Sequence, residues 1–129
     1  MNQKLEGTQL IDFTPLGKKN KVAELQSIDT LEGVGEAATP GATITAHYTG
    51  ALCATGVIFQ SSRDFGDPMT FSLSTVIKGW QEGVPGMKVG GIRRLIIPSA
   101  LAYGSVRAAA NIPPNSDLVF DIELVAVNG

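Results

Sequence analysis

The side chains that usually do covalent or metal chemistry are scarce in this chain. His47 is its only histidine and Cys53 its only cysteine. That excludes a multi-histidine or thiolate metal site and an internal disulfide. Asp64 and Asp67 are close enough for paired acid–base work, but Gly66 and Pro68 beside them mark a turn. GVGEAA (residues 33–38) has the outline of a dinucleotide-binding glycine loop. Pro40 and Gly41 follow at once, so no helix opens there to receive a pyrophosphate, and a hairpin loop is the better reading. The chain has no phosphate loop ending in glycine–lysine–serine or threonine, and no G-x-S-x-G nucleophile turn. Neither a metal nor a cofactor is expected.

What the chain does have is a scattered aromatic set: one tryptophan, two tyrosines and five phenylalanines. Tyr48 sits in AHYTG, Phe59 in GVIFQSSRD, Trp80 in VIKGW, Tyr103 in ALAYG and Phe120 in DLVFDIEL. Any one of them is explained by an ordinary core.

The elements that must position these rings are mostly strands. Residues 42–49, ATITAHYT, are rich in β-branched residues and end at Gly50. Further strand signals are GVIFQS, MTFSL behind Pro68, and GIRRLIIP, which stops at Pro98. Leu25, Ile28 and Leu31 begin a polar-rich strand, and residues 117–127 alternate so that Leu118, Phe120, Ile122 and Leu124 face one side. The run VIKGWQEGVPGMKVGG (residues 76–91) differs: Val76, Ile77, Trp80 and Val84 have helical spacing. Pro85 and Gly86 end that helix after about two turns. Gly79 is expected to leave room beside the indole. The fold class is α+β, with an antiparallel sheet curved over one short helix.

At 129 residues one domain is expected, large enough to bury a core without staples. Charged residues make up 17 % and hydrophobic ones 43 %, which suits a soluble globular protein. A net charge of −2 argues against nucleic acid as the main partner. KKNK, with Lys18, Lys19 and Lys21, reads as a solvated tail rather than a binding patch. Residues 1–23 read as an extension, partly ordered at most, with a small apolar cluster of Leu10, Ile11, Phe13 and Leu16; residues 24–129 form the domain. The first residues lack the long apolar run of a signal peptide or membrane span, so no membrane insertion by this chain is expected. A cytoplasmic setting is the default, and an extracytoplasmic one follows if a leading signal or anchor was removed. Monomer is the default assembly.

In combination, HYTG, IFQSSRD, VIKGW, GVPGMKVGGIRRLIIP, LAYG, IPP and LVFDIEL resemble an FKBP-type peptidyl-prolyl cis–trans isomerase, of the macrolide-binding immunophilin family. The resemblance covers residues 25–127. It implies a five- or six-stranded antiparallel sheet wrapped around one short α-helix, with a pocket between them. It implies catalytic roles for Tyr48, Phe59, Trp80, Tyr103 and Phe120, with Trp80 as the floor. Substrate contacts would come from Gln60, Met69, Val76, Ile77 and Ile112. The Tyr103 hydroxyl and the Ile77 N–H would donate to a ligand carbonyl, and the loop 105–114 would overhang the pocket. Implied partners are proline-containing peptides and protein substrates, and macrolides such as tacrolimus or rapamycin. No large insertion interrupts residues 103–114, so no appended chaperone domain is expected there.

The sequence departs from the family pattern at the rim. Gln60 stands where aspartate is usual, which bears on macrolide affinity more than on activity. Met69 replaces a frequent aromatic, and Ala108 and Asn111 replace larger loop residues, which bears on substrate preference. Two functions fit: an active isomerase assisting protein folding, or a non-catalytic proline-peptide or macrolide-binding module. A structural β domain with an ordinary aromatic core is the plainest third.

Overall fold

A computed structural model describes residues 4–17, 20–106, 108–109 and 111–128. Lys18 and Lys19 of the basic run, and Arg107 and Ala110 of the overhanging loop, lie outside the described residues. Six strands form one antiparallel sheet: β1 Gln26–Leu31, β2 Thr43–Leu52, β3 Ile58–Ser61, β4 Met69–Ser72, β5 Ile92–Ile97 and β6 Leu118–Val127. A single α-helix among the described residues, α1 (Lys78–Gly83), lies between β4 and β5. The strand order is β1-β5-β6-β2-β3, with β4 also on β2. β4 pairs with residues 43–46 of β2 and β3 with residues 49–51, so two short strands share one edge of β2. This is the α+β architecture expected from the sequence.

Alternation sorts the core into two layers. Leu118, Phe120, Ile122 and Leu124 of β6 join Ile44, Ala46 and Tyr48 of β2 and Leu95 and Ile97 of β5 in one cluster with Trp80 and Val84. Val119, Ala51, Cys53 and Ile58 pack on the other face, against Leu10 and Val22 of the N-terminal extension. The extension is held by main-chain bonds as well as by burial. The N–H groups of Gly7 and Leu10 donate to Ile58 O and Gly56 O, and that of Leu16 donates to Cys53 O. Asp64 accepts the N–H groups of Leu5 (2.7 Å) and Glu6 (3.0 Å). Arg94 of β5 pairs with Asp121 and donates to the carbonyls of Ile11 (2.9 Å) and Asp12 (2.6 Å). Its guanidinium lies over the Phe13 ring.

α1 is shorter than the helical spacing of the sequence suggests. Val76 precedes it, and Ile77 is its extended N-cap, with φ −58° and ψ 152°. Its glycines face the sheet. A Cβ on Gly79 would lie 2.5 Å from Ile97 Cγ2, and one on Gly83 would lie 2.7 Å from Leu95 Cδ2. Gly79 therefore makes room for Ile97 of β5, not for the indole. The C-terminal carbonyls of a helix lack partners within it. Here Arg93 donates to Gly83 O (2.8 Å) and Pro85 O (3.3 Å) while Asp29 of β1 holds its other nitrogens. That pairing keeps the Asp29 carboxyl below its ordinary range, chiefly through the hydrogen bond from Arg93, with its charge adding a smaller part against the opposing effect of burial.

Alanine at Gly79 should destabilise the fold. Overpacking against a stiff β-branched side chain costs about 1–3 kcal/mol, which exceeds the ~0.5–1 kcal/mol that alanine gains over glycine in a helix. Gly83→Ala should cost less, because Leu95 can turn its terminal methyls aside. Urea unfolding of both variants tests the order, and equal stability to the parent at position 79 would refute the close approach.

Cys53 offers a second test. Burial, with the Asp117 carboxylate adding, pushes its thiol up to about 12. At pH 8 such a thiol is ionised in roughly one molecule in ten thousand, against about one in four for a free thiol. A thiol reagent should leave Cys53 untouched in the native protein and label it promptly in urea. Prompt native labelling would mean that the extension lifts off the sheet.

Candidate functional site

Between α1 and the inner face of the sheet lies a cavity of about 280 Å³. This is near the lower end for ligand sites, which span about 300–1,000 Å³. Its walls are rings set edge to face. Trp80 meets Phe120 at 5.4 Å and 87°, Phe71 at 5.2 Å and 68°, and Tyr48 at 5.8 Å and 75°. Phe59 closes the set against Phe120 at 5.7 Å and 87°. T-shaped pairs at these distances are favourable beyond their buried area. Val76 and Ile77 line one side, and Gln60, Thr75 and Tyr103 complete the lining. None of these side chains is charged.

Each ring is held from behind. Tyr48 lies on β2, and its N–H donates to the buried Ser62 Oγ (2.8 Å). Ser61 Oγ donates to Tyr48 O (3.2 Å). His47 Nδ1 lies 2.9 Å from the same Ser62 Oγ, so the lone histidine belongs to this framework. Phe59 on β3 and Phe120 on β6 crowd Gly50 of β2. A Cβ there would come within 2.6 Å of the Phe59 ring and 2.7 Å of the Phe120 ring. Asn111 Nδ2 donates to Phe59 O (2.9 Å) and ties the loop after Tyr103 to β3.

Tyr103, Gln60 and Thr75 bring polar side chains to the lining, and Ile77 brings its main chain. Tyr103 is 41 % exposed. The Ile77 N–H has no acceptor among the described residues. Burial pushes the Tyr48 phenol up, with Tyr103 nearby adding to it, so Tyr48 stays protonated at neutral pH. Such a site can bury an apolar ring and accept a carbonyl at its edge. It offers nothing to attack the substrate or to take a proton from it.

Of the ten residues singled out from the sequence, the cavity lining includes Tyr48, Phe59, Gln60, Val76, Ile77, Trp80, Tyr103 and Phe120. Met69 and Ile112 are not part of it. Met69 pairs with Ala46 at the start of β4 and is 42 % exposed. Ile112 is buried in the same core cluster as Tyr48, Phe59, Trp80 and Phe120. Phe71 takes the place expected of Met69. The two stand two residues apart in a strand, so the same face was indicated, and the aromatic lies one step further in. Thr75 carries no signal of its own, and Asn111, marked in the sequence as a loop departure, acts here by its hydrogen bond to Phe59 O.

Residues 35–125 match the model of the FKBP-type peptidyl-prolyl cis-trans isomerase family. Peptidyl-prolyl cis-trans isomerase FPR2 of Saccharomyces cerevisiae is 52 % identical over 92 residues, which are 70 % of this chain and 68 % of that protein. An FK506-binding protein of Neisseria meningitidis serogroup B is 48 % identical over 101 residues, which are 77 % of this chain and 92 % of that one. The crystal structure of FkpA from Escherichia coli superposes with a TM-score of 0.73 at 42 % identity. It matches 81 % of this chain, which spans only 48 % of FkpA. Sequence, sheet topology and ring cage agree: the chain belongs to the FKBP-type peptidyl-prolyl cis–trans isomerase family.

Proposed function

We propose that this chain accelerates rotation about Xaa–Pro bonds in peptides and folding proteins, within the cavity between α1 and the sheet. The observation that carries the reading is the uncharged cage of rings. A peptide bond resists rotation by roughly 18–20 kcal/mol because resonance keeps it planar. Before proline both planar isomers are populated, yet they exchange only over tens to hundreds of seconds. Twisting the bond breaks the resonance and reduces the charge separation across C–N. Water stabilises the planar, more polar form better, whereas an apolar wall does not discriminate against the twisted one. The faces of Trp80, Phe59 and Phe120 can bury the pyrrolidine ring. Tyr103 and the Ile77 N–H can take the flanking carbonyls. Preferential binding of the twisted form lowers the barrier with no base, nucleophile or metal.

Two relatives, by their names, support the choice of ligand: one is an isomerase and the other binds FK506. We propose that macrolides such as tacrolimus or rapamycin enter the same cavity and compete with proline peptides. Gln60 gives such a ligand a neutral hydrogen-bonding group where an aspartate would give a charged one.

Exchange of a short peptide with an apolar residue before proline, followed by NMR, tests the activity directly. Line broadening or exchange well above the buffer rate is expected, and it should be suppressed by a macrolide. Exchange no faster than buffer, with ligand entry still visible in Trp80 fluorescence, would convert the assignment to a binding module. Tyr103→Phe removes one hydroxyl from a half-exposed side chain and should leave the fold intact. A loss of about three- to tenfold in kcat/KM is expected, the worth of one neutral hydrogen bond at about 0.5–1.5 kcal/mol.

Gln60→Asp should separate the two ligands. Macrolide affinity should change by about threefold or more, as expected when a neutral hydrogen bond becomes charge-assisted. Turnover of a neutral peptide should stay close to that of the parent. Equal changes in both would show that Gln60 acts on the shape of the cavity and not through its charge.

A further inference from the structure

Tyr103 stands at the mouth of the cavity with 41 % of its surface exposed, so side-chain packing does little to fix it. Its place is set by main chain. Residues 99–101 form a short 3-10 turn entered from Pro98. The Ser99 carbonyl accepts the N–H groups of Ala102 (2.9 Å) and Gly104 (2.8 Å), the residues on either side of Tyr103. Beyond the turn, the Asn115 N–H donates to Gly104 O (2.7 Å). The whole turn therefore hangs on Ser99. The first N–H of a helical turn has no partner inside it. Here the Ser99 N–H donates to Asp117 Oδ1 at 2.8 Å.

We infer that Asp117 is a positioning residue for Tyr103, its carboxylate pinning the turn that presents the tyrosine to the cavity. This rests on the isomerase reading of that cavity. Asp117 is buried immediately before β6, three residues ahead of Phe120. One carboxylate thus fixes Tyr103 relative to the strand that supplies the opposite wall. Its second oxygen accepts the Val22 N–H of the extension (2.8 Å), and its carbonyl accepts the Cys53 N–H (2.9 Å). The extension and the turn before Tyr103 meet at this one side chain, and the β2–β3 turn meets the same residue at its main chain. Hydrogen bonds to a carboxylate are about twice as strong as neutral ones, so the clamp is stiffer than a serine or threonine would make it.

The test uses the full chain and five variants, assayed on a proline tetrapeptide at a temperature where circular dichroism shows each to be folded. Asp117→Ala should lower kcat/KM by roughly tenfold, the scale of a misplaced contact group. Ser99→Pro removes the N–H that Asp117 holds while suiting the first position of a helical turn, so it should lower kcat/KM to a similar degree with the turn still formed. The double variant Ser99→Pro/Asp117→Ala should therefore match Ser99→Pro alone. In a Tyr103→Ala background, Asp117→Ala should add no further loss. Losses that do not add are the outcome that two independent losses of stability cannot produce. Full activity of Asp117→Ala beside an impaired Tyr103→Ala would overturn this inference alone, as would losses that add in the Ser99→Pro/Asp117→Ala double variant. Full activity of Tyr103→Ala would overturn the role of Tyr103, and this inference with it.

If Asp117→Ala does not fold, the isosteric Asp117→Asn takes its place. The contact to Ser99 is then at best neutral. A loss of about threefold in kcat/KM and faster amide exchange at Ala102 and Gly104 are expected. Parent-like turnover and exchange in Asp117→Asn would overturn the inference.

Discussion

The cavity depends on how closely α1 can approach the sheet. A helix of six residues does not hold together alone in water, where isolated helices shorter than about 12–15 residues are marginal. It persists because it lies against β5 with no Cβ at Gly79 or Gly83, so the side chains of Ile97 and Leu95 press on its backbone. Arg93 then takes its last carbonyls and is itself gripped by Asp29 at the sheet edge. That close contact brings Trp80 down to the level of the strand residues. Raising the helix by the width of a methyl group would pull the indole from Tyr48, Phe71 and Phe120 together, since all three touch it edge to face. The glycines cost helix propensity and return a tryptophan seated as the floor of a pocket.

The cavity is then the space that rigid rings cannot fill. Edge-to-face rings cannot close upon one another without losing their contacts, and so leave a gap between them. Polar groups nearby are used up elsewhere. Ser61 and Ser62 are spent on the main chain of Tyr48, and Asn111 on that of Phe59. Among the described residues, no buried side-chain nitrogen or oxygen lacks a partner. The interior of the site is accordingly neutral, and its hydrogen-bonding capacity stands at the rim. A twisting prolyl bond needs that division: apolar contact at the ring and the rotating bond, and donors at the flanking carbonyls.

Much of this was legible in the sequence, and the failures have physical causes. The last strand was plain because Leu118, Phe120, Ile122 and Leu124 alternate with residues of the opposite face over seven positions. The helix was recognisable but misjudged in extent. Spacing registers Val76 and Ile77, while the backbone of Ile77 is extended. Met69 and Phe71 share a strand face, and only the depth of the strand relative to α1 decides which of them meets the cavity. The docking of the extension was marked only by its apolar cluster, of which Leu10, Phe13 and Leu16 pack on the sheet; its bonds to turns and to Asp64, Asp117 and Arg94, far away in sequence, left no mark. Gly79 was read against its neighbour Trp80, and its true neighbour, Ile97, is brought to it only by the fold.

The extension bears on the site through the sheet itself. An antiparallel sheet with one face in water can flex, because its outer side chains pack against nothing. In this chain Leu10, Val22, Phe13 and Leu16 cover Ala51, Cys53, Ile58 and Val119 on the face away from the cavity. β3 and β6 are therefore buried on both sides where they carry Phe59 and Phe120. Interiors packed on both sides resist displacement. A site that works by fitting a strained geometry gains from walls that do not yield, since a yielding wall would accommodate the planar substrate equally well and lose the preference on which rate depends. The segment that looks least like part of the domain thus contributes to the stiffness of its catalytic face without touching the cavity.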